Sequence, residues 1–249
     1  MSNTDSFLLR IAEAILDRNQ TLGLLVHGSY AAGTFHRHSD VDLIWVTKTD
    51  RRQRFVRSID GVEIDVFASS PTEIDKIIHS TVWNNNNLVL YAFVRGRSLI
   101  DLDGSVAELI TIAGQIWARG PTPPSREETE RLEVASRISA AVAARIGIRA
   151  MQSSEWCEIA QLQSGTIFVE SLYAYCRIHQ LWASALWEML KWHDAKYQDV
   201  LAVIRNYLAE PSLQSRLDAI RQLTDATINT IASENKTQNS MIHETGTIS

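Results

Sequence analysis

The sequence predicts an α/β domain with a small mixed sheet, followed by an all-α helical bundle. Three observations carry that expectation. Up to about residue 120, short strand-like runs interleave with amphipathic helical ones. Gly120-Pro121-Thr122-Pro123-Pro124 then places three prolines in four positions, and no helix continues through that. Beyond it the apolar spacing is helical throughout. The expected domains are residues 1–120 and 125–232. Residues 233–249, polar and without apolar periodicity, are expected as a frayed, flexible tail.

In order along the chain, Asp5 can cap a helix reaching about Asp17, with Phe7, Leu8, Ile11, Ala14 and Ile15 on one face. Thr21 to His27 is a short apolar strand, buried on both faces. Gly28 and Gly33 bracket a turn that Tyr30, Ala31 and Ala32 can shape into a first helical turn. Asp40 to Thr47 is the next strand, and a charged turn follows at Lys48 to Arg52. Phe55–Ile59 and Val62–Phe67 flank Asp60-Gly61, a hairpin signal because glycine accepts the positive φ of the turn. Pro71 opens a helix to about Ser80, with Glu73 and Asp75 in its first turn. Asn84 to Asn87 is a polar loop or cap. Leu88 to Val94 is helical, Ser98 to Asp101 a brief strand, and Val106 to Trp117 a helix with a stripe of Leu109, Ile110, Ala113 and Trp117.

After the prolines, Ser125 with Glu128 three residues on reads as a capping box. Helices are expected at 126–151, 155–180, 182–192, 195–208 and 212–232. Leu132, Ala135, Ile138, Val142 and Ile146 recur at helical spacing in the first, and Ile159, Leu162, Val169 and Tyr173 in the second. Trp156, Trp182, Trp187 and Trp192 read as core, Trp182 sharing a broad apolar face with Leu181, Ala185, Leu186, Met189 and Leu190.

The stretch Leu24 to Val46, LLVHGSYAAGTFHRHSDVDLIWV, concentrates the chemistry. Strand alternation turns Asp40 and Asp42 to one side, while Val41, Leu43 and Trp45 take the other. Two adjacent acids repel unless neutralised, and a divalent cation is their natural partner. Gly28 and Ser29 can offer backbone N–H groups and a hydroxyl to a phosphate. On the second hairpin arm Glu63, Asp65 and Phe67 share a face, so Asp65 can bring a third carboxylate to the platform, with Glu63 as the fallback.

Composition bounds the rest. A net charge of −5 and a pI near 5.8 argue against a protein whose main business is gripping a nucleic-acid backbone. Cys157 and Cys176 are too few for a disulfide framework, lack metal-site spacing, and are expected as buried thiols. No apolar run approaches the roughly 20 residues that span a bilayer. The first residues lack the pattern of a signal peptide, so a cytoplasmic location is expected.

Gly28-Ser29, a ten-residue gap, Asp40-Val41-Asp42-Leu43 and a later strand with Asp65 resemble the nucleotidyltransferase superfamily of DNA polymerase beta. The run GSYAAGTFHRHSDVDL is similar to small bacterial and aminoglycoside nucleotidyltransferases, over about residues 22–68. A helical second domain resembles the antibiotic-modifying members in layout. The resemblance implies a polymerase beta-like catalytic domain, with the active site in a cleft against an acceptor-binding helical domain. It implies that a nucleoside monophosphate, AMP from ATP, moves to a hydroxyl of a small molecule such as an aminoglycoside, with release of pyrophosphate and a link to antibiotic resistance. Asp40, Asp42 and Asp65 would be the catalytic residues and ligands of two Mg²⁺ ions about 4 Å apart. Gly28, Ser29, Arg37 and His38 would bind the triphosphate, with His36 and Lys48 as further candidates. Relatives often carry a basic residue where this chain has Ala32. A glutamate of the helical domain (Glu127, Glu128, Glu130 or Glu133) could serve as general base, although capping and helix-dipole roles also explain the first three. The alternatives are a toxin–antitoxin-type enzyme that modifies protein or RNA, and an inactive nucleotide-binding module. The composition disfavours a nucleic-acid partner, no membrane partner is expected, and homodimerisation stays open.

Overall fold

The computed structural model describes residues 3–84, 88–183, 189–190, 195–209 and 212–245. They divide into two compact units, Met1–Gly120 and Pro121–Ser249.

The first unit is built on a five-stranded mixed sheet, β1 (Thr21–His27), β2 (Val41–Thr47), β3 (Gln53–Ile59), β4 (Val62–Ser69) and β5 (Arg97–Asp101), in the order β3-β4-β2-β1-β5. Only β2 and β4 run parallel. The β3–β4 hairpin turns at Asp60-Gly61, both at positive φ (52° and 78°), as the two-residue turn requires. Helix α1 (Asn3–Ile15) covers one face of the sheet. It starts two residues before the expected Asp5 cap. Leu8, Ile11 and Ala12 pack there with Leu24, Val26, Val41, Leu43, Ile64 and Val66. The alternate residues Leu25, Ile44 and Val46 are buried on the other face. Helices α3 (Pro71–Asn84), α4 (Leu88–Arg95) and α5 (Ser105–Arg119) pack against one another, and α4 and α5 lie on β1. The short α2 (Gly28–Ala32) follows β1 directly. The expected asparagine loop lies, at 85–87, outside the described residues.

In the second unit α6 (Arg126–Ala150), α7 (Ser154–Ile178) and the long α9 (Leu213–Thr245) pack mutually, and α8 (Gln198–Ala209) joins α9. The helix expected at 182–192 falls mostly outside the described residues, and Leu181–Ala183 are not helical. The face of α6 turned inward carries Ser136, Ser139, Ala143 and Ile146, while Ile138 is exposed. On α7 the buried set is Ala160, Ser164, Ile167, Phe168, Ser171 and Leu172, and Leu162, Val169 and Tyr173 face outward. Small hydroxyl and alanine side chains let long helices approach closely, and on α6 Ser136 and Ser139 take the inward positions while Ile138 does not. Trp182 is fully buried, but Trp156 is exposed beneath Arg149, which sits 5.3 Å from its ring. Residues 233–245, expected as a tail, continue α9. The segment holds no glycine or proline before Gly246, and Thr237 donates its hydroxyl to the Ser233 carbonyl at 3.1 Å.

A buried cation ties the start of this unit together. Arg177, with its side chain 5% exposed, donates to both oxygens of Glu128 at 2.7 and 2.9 Å and to the Thr122 carbonyl. Ser125 caps α6 by accepting from the Glu128 N–H at 3.2 Å. The Glu128 carboxylate, however, pairs with Arg177 where the expected capping box would have turned it back. Replacing Arg177 by alanine should lower stability by about 3 kcal/mol, since it strands a partly buried carboxylate; urea unfolding would measure it. The two thiols should also differ. Burial pushes the Cys176 thiol up to about 12, whereas Cys157 is half-buried at a pocket edge and corrects the expectation of two buried thiols. In native protein a disulfide reagent should therefore label Cys157 alone, and Cys176 only after denaturation.

Candidate active site

The parallel register of β2 and β4 sets Asp42 directly opposite Asp65. His27 on β1 stands opposite Asp42, and Val56 on β3 opposite Asp65, so these four form one row across four strands. The next row on that face is Leu25, Ile44, Phe67 and Arg54. Leu88, Val89 and Ala92 of α4 complete a pocket of about 540 Å³, whose lining includes His27, Asp42, Asp65, Phe67, Arg52 and Arg54. Acids, cations and an apolar wall thus meet in one small-molecule-sized space.

Gly28 keeps that space open. Its φ is +65°, and a Cβ placed there would collide with Asp42 Oδ2. The sequence suggested an N–H donor at this position; the structure adds a steric reason for glycine. Ser29 follows in the first turn of α2, half-buried.

Asp65 carries a guanidinium fork. Arg54 Nε lies 3.1 and 3.2 Å from its two oxygens, and Nη2 lies 2.5 Å from Oδ2. The hydrogen bond to Asp65 and then its charge raise the Arg54 pKa above its usual value, and Asp42 adds to that. Arg54 stands opposite Phe67 and reaches Asp65 diagonally. Arg52 sits over the Phe67 ring at 5.3 Å.

The other expected residues are placed differently. Asp40 lies one residue before β2 and is exposed. Among the described residues, no group of three His, Cys, Asp or Glu side chains could hold a metal ion, so the expected triad is present as the Asp42–Asp65 pair with Asp40 outside the ladder. Glu63 is exposed, ahead of the first residue of β4 that pairs with β2. Arg37 and His38 are exposed on the loop before Asp40. They hydrogen-bond to one another, Nε to Nε2 at 2.9 Å, and do not line the pocket. His36 and Ser39 close that same loop on each other. Lys48 follows the far end of β2, about six strand residues or 20 Å from Asp42.

The pair fits a divalent cation on three counts. Carboxylate oxygens are the hard donors that Mg²⁺ prefers. Gly28 leaves room beside Asp42. A cation already answers Asp65 in the shape of Arg54.

Residues 8–95, which include every residue lining this pocket, match the family model described as a nucleotidyltransferase domain. Over these residues the chain is similar to a nucleotidyltransferase domain. Transferase chemistry comes with that domain, and the Asp42–Asp65 row lies within it. A solved structure, a nucleotidyltransferase-like protein from Exiguobacterium sibiricum 255-15, is 12% identical, with 93% of this chain and 78% of that one covered at a TM-score of 0.39. No curated protein matches the chain.

His27, Arg52, Arg54 and the α4 wall of this pocket escaped the sequence reading. The hairpin could have revealed Arg54. Once Ile59 pairs with Val62, Arg54 falls opposite Phe67 and on the face of Asp65. No local signal marks Leu88, Val89 and Ala92 as pocket residues. Gly28→Ala should cost about 1–3 kcal/mol through the positive φ and displace Asp42. Thermal unfolding would report the first effect, and a fall in nucleotidyl transfer at unchanged protein concentration the second.

Proposed function

We propose that this protein is a Mg²⁺-dependent nucleotidyltransferase that moves AMP from ATP to a hydroxyl of a small molecule, an aminoglycoside-like acceptor, and releases pyrophosphate. The observation that carries the reading is the in-register Asp42–Asp65 pair on the wall of a pocket inside a nucleotidyltransferase domain. Asp42 and Asp65 would hold the cation, joined by Asp40 from the same side of β2. Bound there, Mg²⁺ would neutralise phosphate charge and lower the pKa of an acceptor hydroxyl.

The chain's own groups supply the rest. Gly28 N–H and the Ser29 hydroxyl would donate hydrogen bonds to the β- and γ-phosphates at the start of α2. Arg52 adds positive charge at the pocket, replacing Arg37 and His38 in that role, since those two do not line it. Leu88, Val89 and Ala92 offer an apolar wall against which a nucleobase can rest, with Phe67 across the sheet face. The protein forms no covalent bond to the nucleotide in this scheme; rate comes from alignment and charge neutralisation. Glu128 is set aside as general base because Arg177 engages both its oxygens.

The test is incubation with Mg²⁺ and each α-labelled nucleoside triphosphate against aminoglycosides, a cell extract and total RNA. Label from ATP on a small molecule is the expected result. Label on protein or RNA would replace the acceptor class, and no transfer to any acceptor would overturn the enzymatic reading. Asp42→Asn should reduce transfer at least about 100-fold while leaving the circular dichroism spectrum unchanged, as loss of a direct ligand exceeds the cost of losing a supporting one. Full activity in that variant would sink the metal assignment.

A further inference from the structure

We propose that Arg54 is a placeholder for the divalent cation: it holds Asp65 while the ion is absent, yields that carboxylate when the ion enters, and turns to the phosphates of the bound nucleotide. The inference rests on the metal-dependent reading above and adds to it a coupling between metal and nucleotide.

The geometry makes the two occupants compete. The guanidinium addresses both Asp65 oxygens, Nε to each and Nη2 to Oδ2. An ion in direct contact with Oδ2, which already accepts two of these bonds, has to displace at least one of them, and its charge repels the guanidinium. The two partners differ in what they lose on separation. The Asp65 side chain is 21% exposed, so water alone would solvate its charge poorly. Arg54 is 67% exposed and stands on β3, an edge strand, so it can swing outward without leaving a hole. Asp65 therefore needs some cation, whereas Arg54 can do without this carboxylate.

A second partner for Arg54 lies close by. Arg54 lines the same pocket as Asp42 and Asp65, so an anion bound there comes within its reach. A planar fork suits phosphate oxygens as well as a carboxylate. Arg52, over the Phe67 ring, neighbours it without a bond to either acid. An arginine that inhibits metal entry alone and rewards phosphate once displaced makes metal and nucleotide bind with positive, reciprocal coupling.

Mn²⁺ without nucleotide is the direct probe, followed by electron paramagnetic resonance of the free ion. Arg54→Gln should tighten Mn²⁺ binding about tenfold, within the usual range of coupling effects, with Arg54→Lys between it and the unmutated protein. At saturating Mg²⁺, a non-hydrolysable ATP analogue should bind Arg54→Gln more weakly than the unmutated protein, the opposite direction. A purely structural ion pair would not move the two affinities in opposite senses. Melting curves of both variants check that the exposed site leaves the fold intact. Mn²⁺ affinity that Asp42→Asn abolishes and Arg54→Gln leaves unchanged or weakens would overturn the placeholder role alone. Unaltered analogue binding would overturn the transfer to phosphate. Failure of the unmutated protein to bind millimolar Mn²⁺ would overturn the metal reading and this inference with it.

Discussion

Two carboxylates face one another on adjacent parallel strands, and like charges so placed destabilise a sheet unless a cation answers them. Much of the first unit can be understood from that constraint. The register that aligns Asp42 with Asp65 also aligns Ile44 with Phe67, so the apolar floor beside the acids is fixed by the same ladder. Arg54 supplies the answering charge from the neighbouring hairpin arm. Gly28 removes the one Cβ that would intrude on Asp42. Helix α1 holds the opposite face of the sheet in a dry core, so the side chains between the acids in sequence are spoken for and the strands cannot slip. A one-residue slip of β2 would turn Asp42 into that core.

The proposed metal-dependent function would use the same tension. A site that must bind a hard cation reversibly cannot satisfy its acids permanently. It has to hold them in a geometry that is tolerable without the ion and better with it. The pocket would meet this through the pairing of a poorly solvated acid with a well-solvated base, on strands whose backbone does not need to move. The apolar wall from α4 stands beside the charges, which suits a ligand with one anionic end and one flat, weakly polar end.

Much of this was legible in the residues. The alternation around Asp42, the Asp60-Gly61 turn and the spacing to Asp65 are local features, and local geometry turns them into strands with known faces. What escaped was of two kinds. The α4 wall and His27 join the pocket through packing and sheet order, which no short window encodes. The helical unit misled for a different reason. Leu162 and Ile138 are more apolar than Ser164 and Ser139, yet the serines face inward, because close approach between long helices favours small side chains. Apolar spacing identified α6 and α7 as helices without identifying which side of each would be buried. Asp40 is an intermediate case. Its face follows from strand alternation, but the ladder stops one residue short of it, and its position is left to the loop.

The clamp made by Arg177 changes where the second unit begins. The proline segment reads as a spacer between domains, yet Thr122 gives its carbonyl to a guanidinium buried among helices that start later in the chain. Thr122 is thus part of the bundle's own interior bonding. If the chain were recombined with another catalytic unit, a junction placed after Pro124 would cut through a folded structure and leave a buried donor with nothing to accept from it. A junction at Gly120 would carry the clamp across whole. The natural seam of this protein therefore lies before its prolines, and the helical unit is a transferable module only when it travels with them.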